Sequence, residues 1–185
     1  MMTEISLNIL DVAENSVKAG ASLTEIAVTA NVKANALTVT IRDNGCGMTP
    51  EQVNRVTDPF YTTRTTRKVG LGVPFFKEAA EQTGGSFCIT SAPGAGTTVT
   101  AVFVLNSIDR MPLGDICATL HTLITMHPER DFLFTYRVNE NFFTLDTRQF
   151  KEILEGVALN TPEVSAYLRD YLRENTAEVN GELIL

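Results

Sequence analysis

Between Ile5 and Val17 the apolar side chains recur at steps of three and four (Ile5, Ile9, Val12, Ala13, Val17), which predicts a helix over Ser6 to Ala19, ended by Gly20. The period then drops to two. Thr24-Ile26-Val28-Ala30 and Leu37-Val39-Ile41 alternate with polar neighbours, as half-buried strands do, and the polar stretch from Asn31 to Asn35 turns them into a hairpin. Thr49, with Pro50 behind it and Gln52 three residues on, has the makings of a capping box at the start of a short helix. A polar tract rich in threonine and arginine follows. Helical periodicity returns over Val73 to Thr83, entered through Gly70-Leu71-Gly72 and stopped by Gly84-Gly85. Phe87 to Thr90 and Thr97 to Leu105 read as two more strands, joined by the turn Ala92-Pro93-Gly94-Ala95-Gly96.

The pattern restarts between Asn106 and Pro112, which sets an expected boundary: one domain over 1–106 and a smaller α+β unit over 107–185. In the second part, 113–127 is expected to be helical and 131–138 with 141–146 a hairpin turned at Asn139-Glu140. Two further helices are expected to begin near Asp146 and at Thr161-Pro162. Its apolar strand residues (Phe132, Phe134, Tyr136, Phe142, Phe143, Leu145) suit a local core packed on the first domain better than an open docking surface. A homodimer or partner contact through this tail is left open. The last ten residues are polar enough to fray.

Composition narrows the classes. The 185 residues are 44% hydrophobic and carry a net charge of −7, with a pI near 4.8. Such a chain repels polyphosphate backbones, which argues against nucleic acid or an anionic membrane as its main partner. Cys46, Cys88 and Cys117 are odd in number and form no CxxC pair, so neither a zinc site nor a disulfide framework is indicated. With no basic leader and no apolar run near eighteen residues, the expected location is the cytoplasm.

Three stretches carry candidate chemistry. At about 100° per residue, Asn8, Asp11, Asn15 and Lys18 fall within roughly 80° of one another on the first helix, opposite Ile5, Ile9, Val12, Ala13 and Ser16. An ordinary amphipathic helix also has a polar stripe. Asp43-Asn44-Gly45-Cys46-Gly47-Met48 follows directly on a strand, with glycines that let backbone approach a ligand; a plain strand-to-helix turn has the same composition. Gly70-Leu71-Gly72 opens a helix whose free N–H groups suit an anion, and the adjoining 61–69 carries Arg64, Arg67 and Lys68 with no acid.

In order, these segments resemble the nucleotide-binding boxes of the superfamily of DNA gyrase, heat-shock-90 chaperones, sensor histidine kinases, mismatch-repair ATPases and anti-sigma-factor serine kinases. Asp11-Val-Ala-Glu14-Asn15-Ser-Val-Lys18 is similar to the asparagine box, and Asp43-Asn-Gly45-Cys-Gly47 to the first glycine box. Asp58-Pro59-Phe60-Tyr61-Thr62-Thr63-Arg64 is similar to the phenylalanine box, Gly70-Leu71-Gly72 to the second glycine box, and Gly94-Ala-Gly96-Thr97-Thr98 to the last. The boxes span 6–105. The resemblance implies the Bergerat fold, an α/β (α+β) two-layer sandwich with ATP held between helices and lid, here followed by the small α+β unit.

It also implies roles. Asp43 would accept from the adenine amino group, Thr97 would serve the same edge through a water, and Met48 would pack on the ring. Asn15 would complete the shell of a Mg²⁺ otherwise held by phosphate and water. Lys18, Arg64 and Lys68 would face the phosphates, with Thr63 and the backbone of Gly45, Gly47, Gly70, Leu71 and Gly72 around the nucleotide. Lys18 matches the histidine kinases, whereas Lys68 is like the anti-sigma kinases. Asp11 stands where gyrase-like ATPases and anti-sigma kinases have a glutamate; it would act as a base through water or only bind magnesium's hydration shell. The asparagine box begins within the first dozen residues, and His121 and His127 lie outside any phosphoacceptor context. The expectation is therefore a stand-alone ATP-dependent kinase or phosphotransferase acting on a separate protein, or else an ATP-sensing module or slow ATPase whose lid controls partner binding.

Overall fold

The computed structural model describes residues 3–58 and 72–185. Helix α1 (Ile5–Lys18) leads into the hairpin β1 (Leu23–Asn31) and β2 (Ala36–Asp43). Helix α2 (Pro50–Val56) is held at its start by the predicted capping box, Thr49 and Gln52 each bonding the other's backbone. Helix α3 (Gly72–Gln82) and the strands β3 (Ser86–Ala92) and β4 (Gly96–Val104) complete the first part. The tail adds α4 (Ile116–Met126), β5 (Asp131–Val138), β6 (Asn141–Asp146), α5 (Thr147–Ile153) and α6 (Pro162–Asn180).

All six strands share one mixed sheet in the order β3-β4-β2-β1-β5-β6, antiparallel except for the parallel pair β1 and β5. The tail hairpin therefore does not pack as a local core on a finished domain; it lengthens the sheet by two strands. One row makes the continuity explicit. Ile89, Val99, Ile41, Ile26, Phe134 and Leu145 stand side by side across the six strands, and all but Ile89 are at most 3% exposed. Each such side chain contributes about 1.5–3 kcal/mol relative to exposure. The helices α3, α1, α4 and α6 cover this face in that order, each touching its neighbour or the strands beneath. The alternate positions, among them Thr38, Thr40 and Arg42, line the opposite face. The arrangement is the two-layer α/β sandwich of the Bergerat fold.

Two expectations are corrected. The last ten residues do not simply fray: α6 continues to Asn180, Thr176 and Val179 are buried, and Leu183 and Leu185 pack against the core. Phe142 is not core; it is 56% exposed, with the Arg137 guanidinium 4.4 Å from its ring centre. No helix among the described residues is long and apolar enough to cross a membrane.

Candidate functional site

Strand β2 ends on Asp43, flanked in register by Thr24 of β1 and Thr97 of β4. Asp43 is 8% exposed. Its Oδ2 accepts from the Ser16 hydroxyl at 2.7 Å and its Oδ1 from the Gly45 amide at 2.8 Å. One bond to each oxygen fixes the plane of the carboxylate while leaving lone pairs on both. Gly96 explains how β4 comes so close: φ is +80°, and a Cβ there would overlap the Asp43 carbonyl.

Above Asp43 lies a cavity of about 180 Å³. Helix α1 lines it with Val12, Asn15 and Ser16, the C-cap with Ala19, β2 with Ile41 and Asp43, and the turn after β2 with Cys46, Gly47 and Met48. Val56, Val73, Ile89, Thr97 and Val99 close the remaining walls. The recess is apolar apart from a few placed polar groups, as small-molecule sites usually are. A second network supports its far edge. Ser91 Oγ accepts from the Met48 amide (2.8 Å), donates to the Gly96 carbonyl (2.8 Å) and lies 2.9 Å from Thr97 Oγ1.

Of the residues singled out in the sequence, Asn15, Asp43, Gly47, Met48 and Thr97 share this cavity, and Gly45 orients Asp43 from behind. Asp11 is placed differently: it does not line the cavity but abuts Gly72, where a Cβ would stand 2.7 Å from that of Asp11 and 3.0 Å from its Oδ2. Lys18 is exposed at the end of α1 and lines none of this cavity. Asn8 shares the polar stripe of α1 but not the cavity. It is fully buried, its Oδ1 has no partner, and it borders a separate cavity with Phe75, Glu78 and Met111. The reason is that α1 is wedged between α3 and α4, so its polar positions meet different neighbours. Thr63, Arg64, Lys68, Gly70 and Leu71 lie outside the described residues.

Sequence reasoning assigned Ser16 to the apolar face and passed over Ser91. A serine on a helix face otherwise apolar must find an acceptor when buried, which is the signal Ser16 offered. Ser91 offered none, because strand serines are common and its partners are set by how β3, β4 and the glycine turn meet. The tail histidines are both engaged: His121 Nε2 lies 2.8 Å from Ser165 Oγ, and His127 Nε2 lies 2.8 Å from Glu14 Oε1.

No group of three or more His, Cys, Asp or Glu among the described residues could hold a metal by itself. Asn15 lines the cavity, and an asparagine amide has one oxygen with which to meet a cation. This donor set suits a hard cation that keeps most of its water and takes its other ligands from a bound polyphosphate.

The family model for histidine kinase-, DNA gyrase B- and HSP90-like ATPases matches residues 3–107. A putative sensor histidine kinase, NtrY-like, from Rickettsia conorii is 29% identical over 108 residues, covering 58% of this chain and 18% of that protein. Among the first sensor proteins it matches, the aligned stretch is only 13% to 18% of the relative's length. Two solved structures share the fold. The N-terminal domain of a DNA repair protein superposes with a TM-score of 0.56 at 12% identity, over 98% of this chain and 58% of that one. The Aquifex aeolicus MutL ATPase domain complexed with ADP gives 0.51 at 14% identity, over 84% and 70%.

Proposed function

Because the chain belongs to the family of histidine kinase-, DNA gyrase B- and HSP90-like ATPases, we propose that its cavity takes the adenine of ATP, with magnesium, for phosphoryl transfer to a separate protein. The observation that carries this is Asp43, a buried carboxylate held by Ser16 and Gly45 at the base of an apolar recess. Its two protein donors leave a lone pair free on each oxygen, and the amino group of adenine is a donor suited to such an acceptor in an apolar recess. Guanine presents a carbonyl oxygen at the same place and is refused.

Ile41, Val99, Val73 and Met48 sandwich the base and keep water away from it. Asn15 would hold a magnesium ion from one side, and the chemistry that ion would supply is neutralisation of phosphate charge. Asp11, set against the first residue of α3, orients the attacking hydroxyl or imidazole or removes its proton. Lys18 together with Thr63, Arg64, Lys68, Gly70 and Leu71 serves the phosphates, and the cost of the reaction is met mainly by positioning. The acceptor lies on another protein, since His121 and His127 are both tied into structural contacts. We assign the tail, 107–185, to docking that partner.

A second reading, nucleotide sensing with slow or no hydrolysis, is favoured by one contact. Glu14, next to Asn15, bonds His127 of the tail, so a change at the nucleotide reaches the tail through α1 without chemistry. Incubation with γ-labelled ATP and candidate partners separates the two. Label on a partner that disappears in Asp11→Asn supports transfer, whereas partner binding that depends on ATP without label supports sensing. Calorimetry is expected to show at least a hundredfold weaker ATP binding by Asp43→Asn with unchanged circular dichroism; equal affinity would remove the adenine assignment.

A further inference from the structure

Thr97 can meet the cavity either as a donor or as an acceptor, and hydroxyl hydrogens are set by their surroundings. A serine hydroxyl has one proton and two lone pairs. Ser91 Oγ touches three groups. The Gly96 carbonyl, at 2.8 Å, can only accept, so it takes the Ser91 proton. The Met48 amide, at 2.8 Å, can only donate, so it takes one lone pair. The remaining contact, 2.9 Å to Thr97 Oγ1, must then be made by the Thr97 proton on the second lone pair of Ser91. Thr97, which lines the cavity, is left with lone pairs alone.

Asp43 is in the same condition, since both its oxygens receive protein donors and an ionised carboxylate has no proton to give. Ser16, the donor to Oδ2, has spent its proton there. The inner end of the recess therefore presents acceptors from two adjacent strands and no hydroxyl proton.

We propose that Ser91, which does not itself line the cavity, is a positioning residue that fixes Thr97 as an acceptor and thereby makes the recess selective for a base edge carrying two amino hydrogens. This rests on the ATP reading above and extends it: one hydrogen of the 6-amino group goes to Asp43 and the other to Thr97, directly or through a water. A 6-oxo purine meets a second unpaired acceptor as well as the first. Without the Ser91 hydroxyl, the Thr97 proton is free to turn towards the cavity and receive an oxygen, so part of the discrimination is lost.

The test compares binding of ATP and inosine triphosphate, which differ at the 6-position, by calorimetry on the whole chain. Ser91→Ala is expected to lower the ATP-to-inosine-triphosphate affinity ratio about tenfold, one hydrogen bond's worth, and Ser91→Thr, which keeps the hydroxyl, to restore most of it. Thr97→Val gives an arm that does not depend on how well Ser91→Ala folds. It removes the acceptor, so it is expected to weaken ATP while leaving or improving inosine triphosphate, and adding Ser91→Ala to it should change the ratio no further. A wild-type ratio above one that stays the same in Ser91→Ala overturns the inference and leaves the ATP reading intact. So does weaker inosine triphosphate binding by Thr97→Val. Absence of binding to either nucleotide by the wild-type chain overturns both.

Discussion

Asp43 sits at the end of β2 with a bond to each oxygen, and Ser16 supplies one of them from the helix that also carries Asn15. A buried hydrogen bond to a charged group is worth about 1.5–3 kcal/mol. Ser16→Ala is therefore expected to lower unfolding stability by about 2 kcal/mol in urea titration and to weaken ATP binding roughly tenfold, because the carboxylate loses its fixed plane. For Asn15→Ala the expected change is different: stability stays the same and ATP affinity no longer responds to added magnesium. At this scale the sequence was partly legible. Asn15, Asp43, Met48 and Thr97 announced themselves by residue type within recognisable boxes, and they do share one cavity. Ser16 and Ser91 did not, since their importance lies in which groups they bond across the fold, and those partners are 27 residues away for Ser16 and up to 43 for Ser91.

Among elements, period and punctuation were nearly sufficient. The helix and strand boundaries read from Ile5-Ile9-Val12, from the alternation in β1 and β2 and from Thr49-Pro50 lie within a few residues of those observed. Burial around α1 was not legible, because a helical wheel distinguishes polar from apolar but not which neighbour a polar residue meets; Asn8, fully buried, is the case in point. The tie between β5 and α6 yields a test in alkali. Tyr136 is buried and its hydroxyl donates to Asn180 Oδ1 at 2.7 Å, and burial raises its pKa from 10 to about 12. A phenol whose pKa is raised by folding holds its proton more tightly when folded, so stability falls as pH rises from 10 to 12 and is unaffected below 10. The loss over that window is expected to be about 2–3 kcal/mol. Tyr136→Phe should flatten the urea-stability profile over the same range; an unchanged slope would place the alkaline transition elsewhere.

For the molecule as a whole, the expected break near residue 106 coincides with the end of the family-matched stretch, 3–107, yet the sheet crosses it. Strand pairing between β1 and β5 could not be read from the sequence, since a parallel partner is chosen by the layers around it and carries no local signal. Without the tail, β1 would become an edge and α1 would lose α4. A fragment of residues 1–106 is accordingly expected to lack a cooperative thermal transition and to aggregate, by calorimetry and light scattering, whereas the full chain melts as one unit. Two separate transitions in the full chain would show instead that the halves are independent. The same pairing governs how the chain must come together during its synthesis. Leu23 waits for Asp131, and at roughly 5–20 residues per second the ribosome leaves the bare side of β1 open to wrong partners for about 5–20 seconds, an interval in which a chaperone has its best reason to attend.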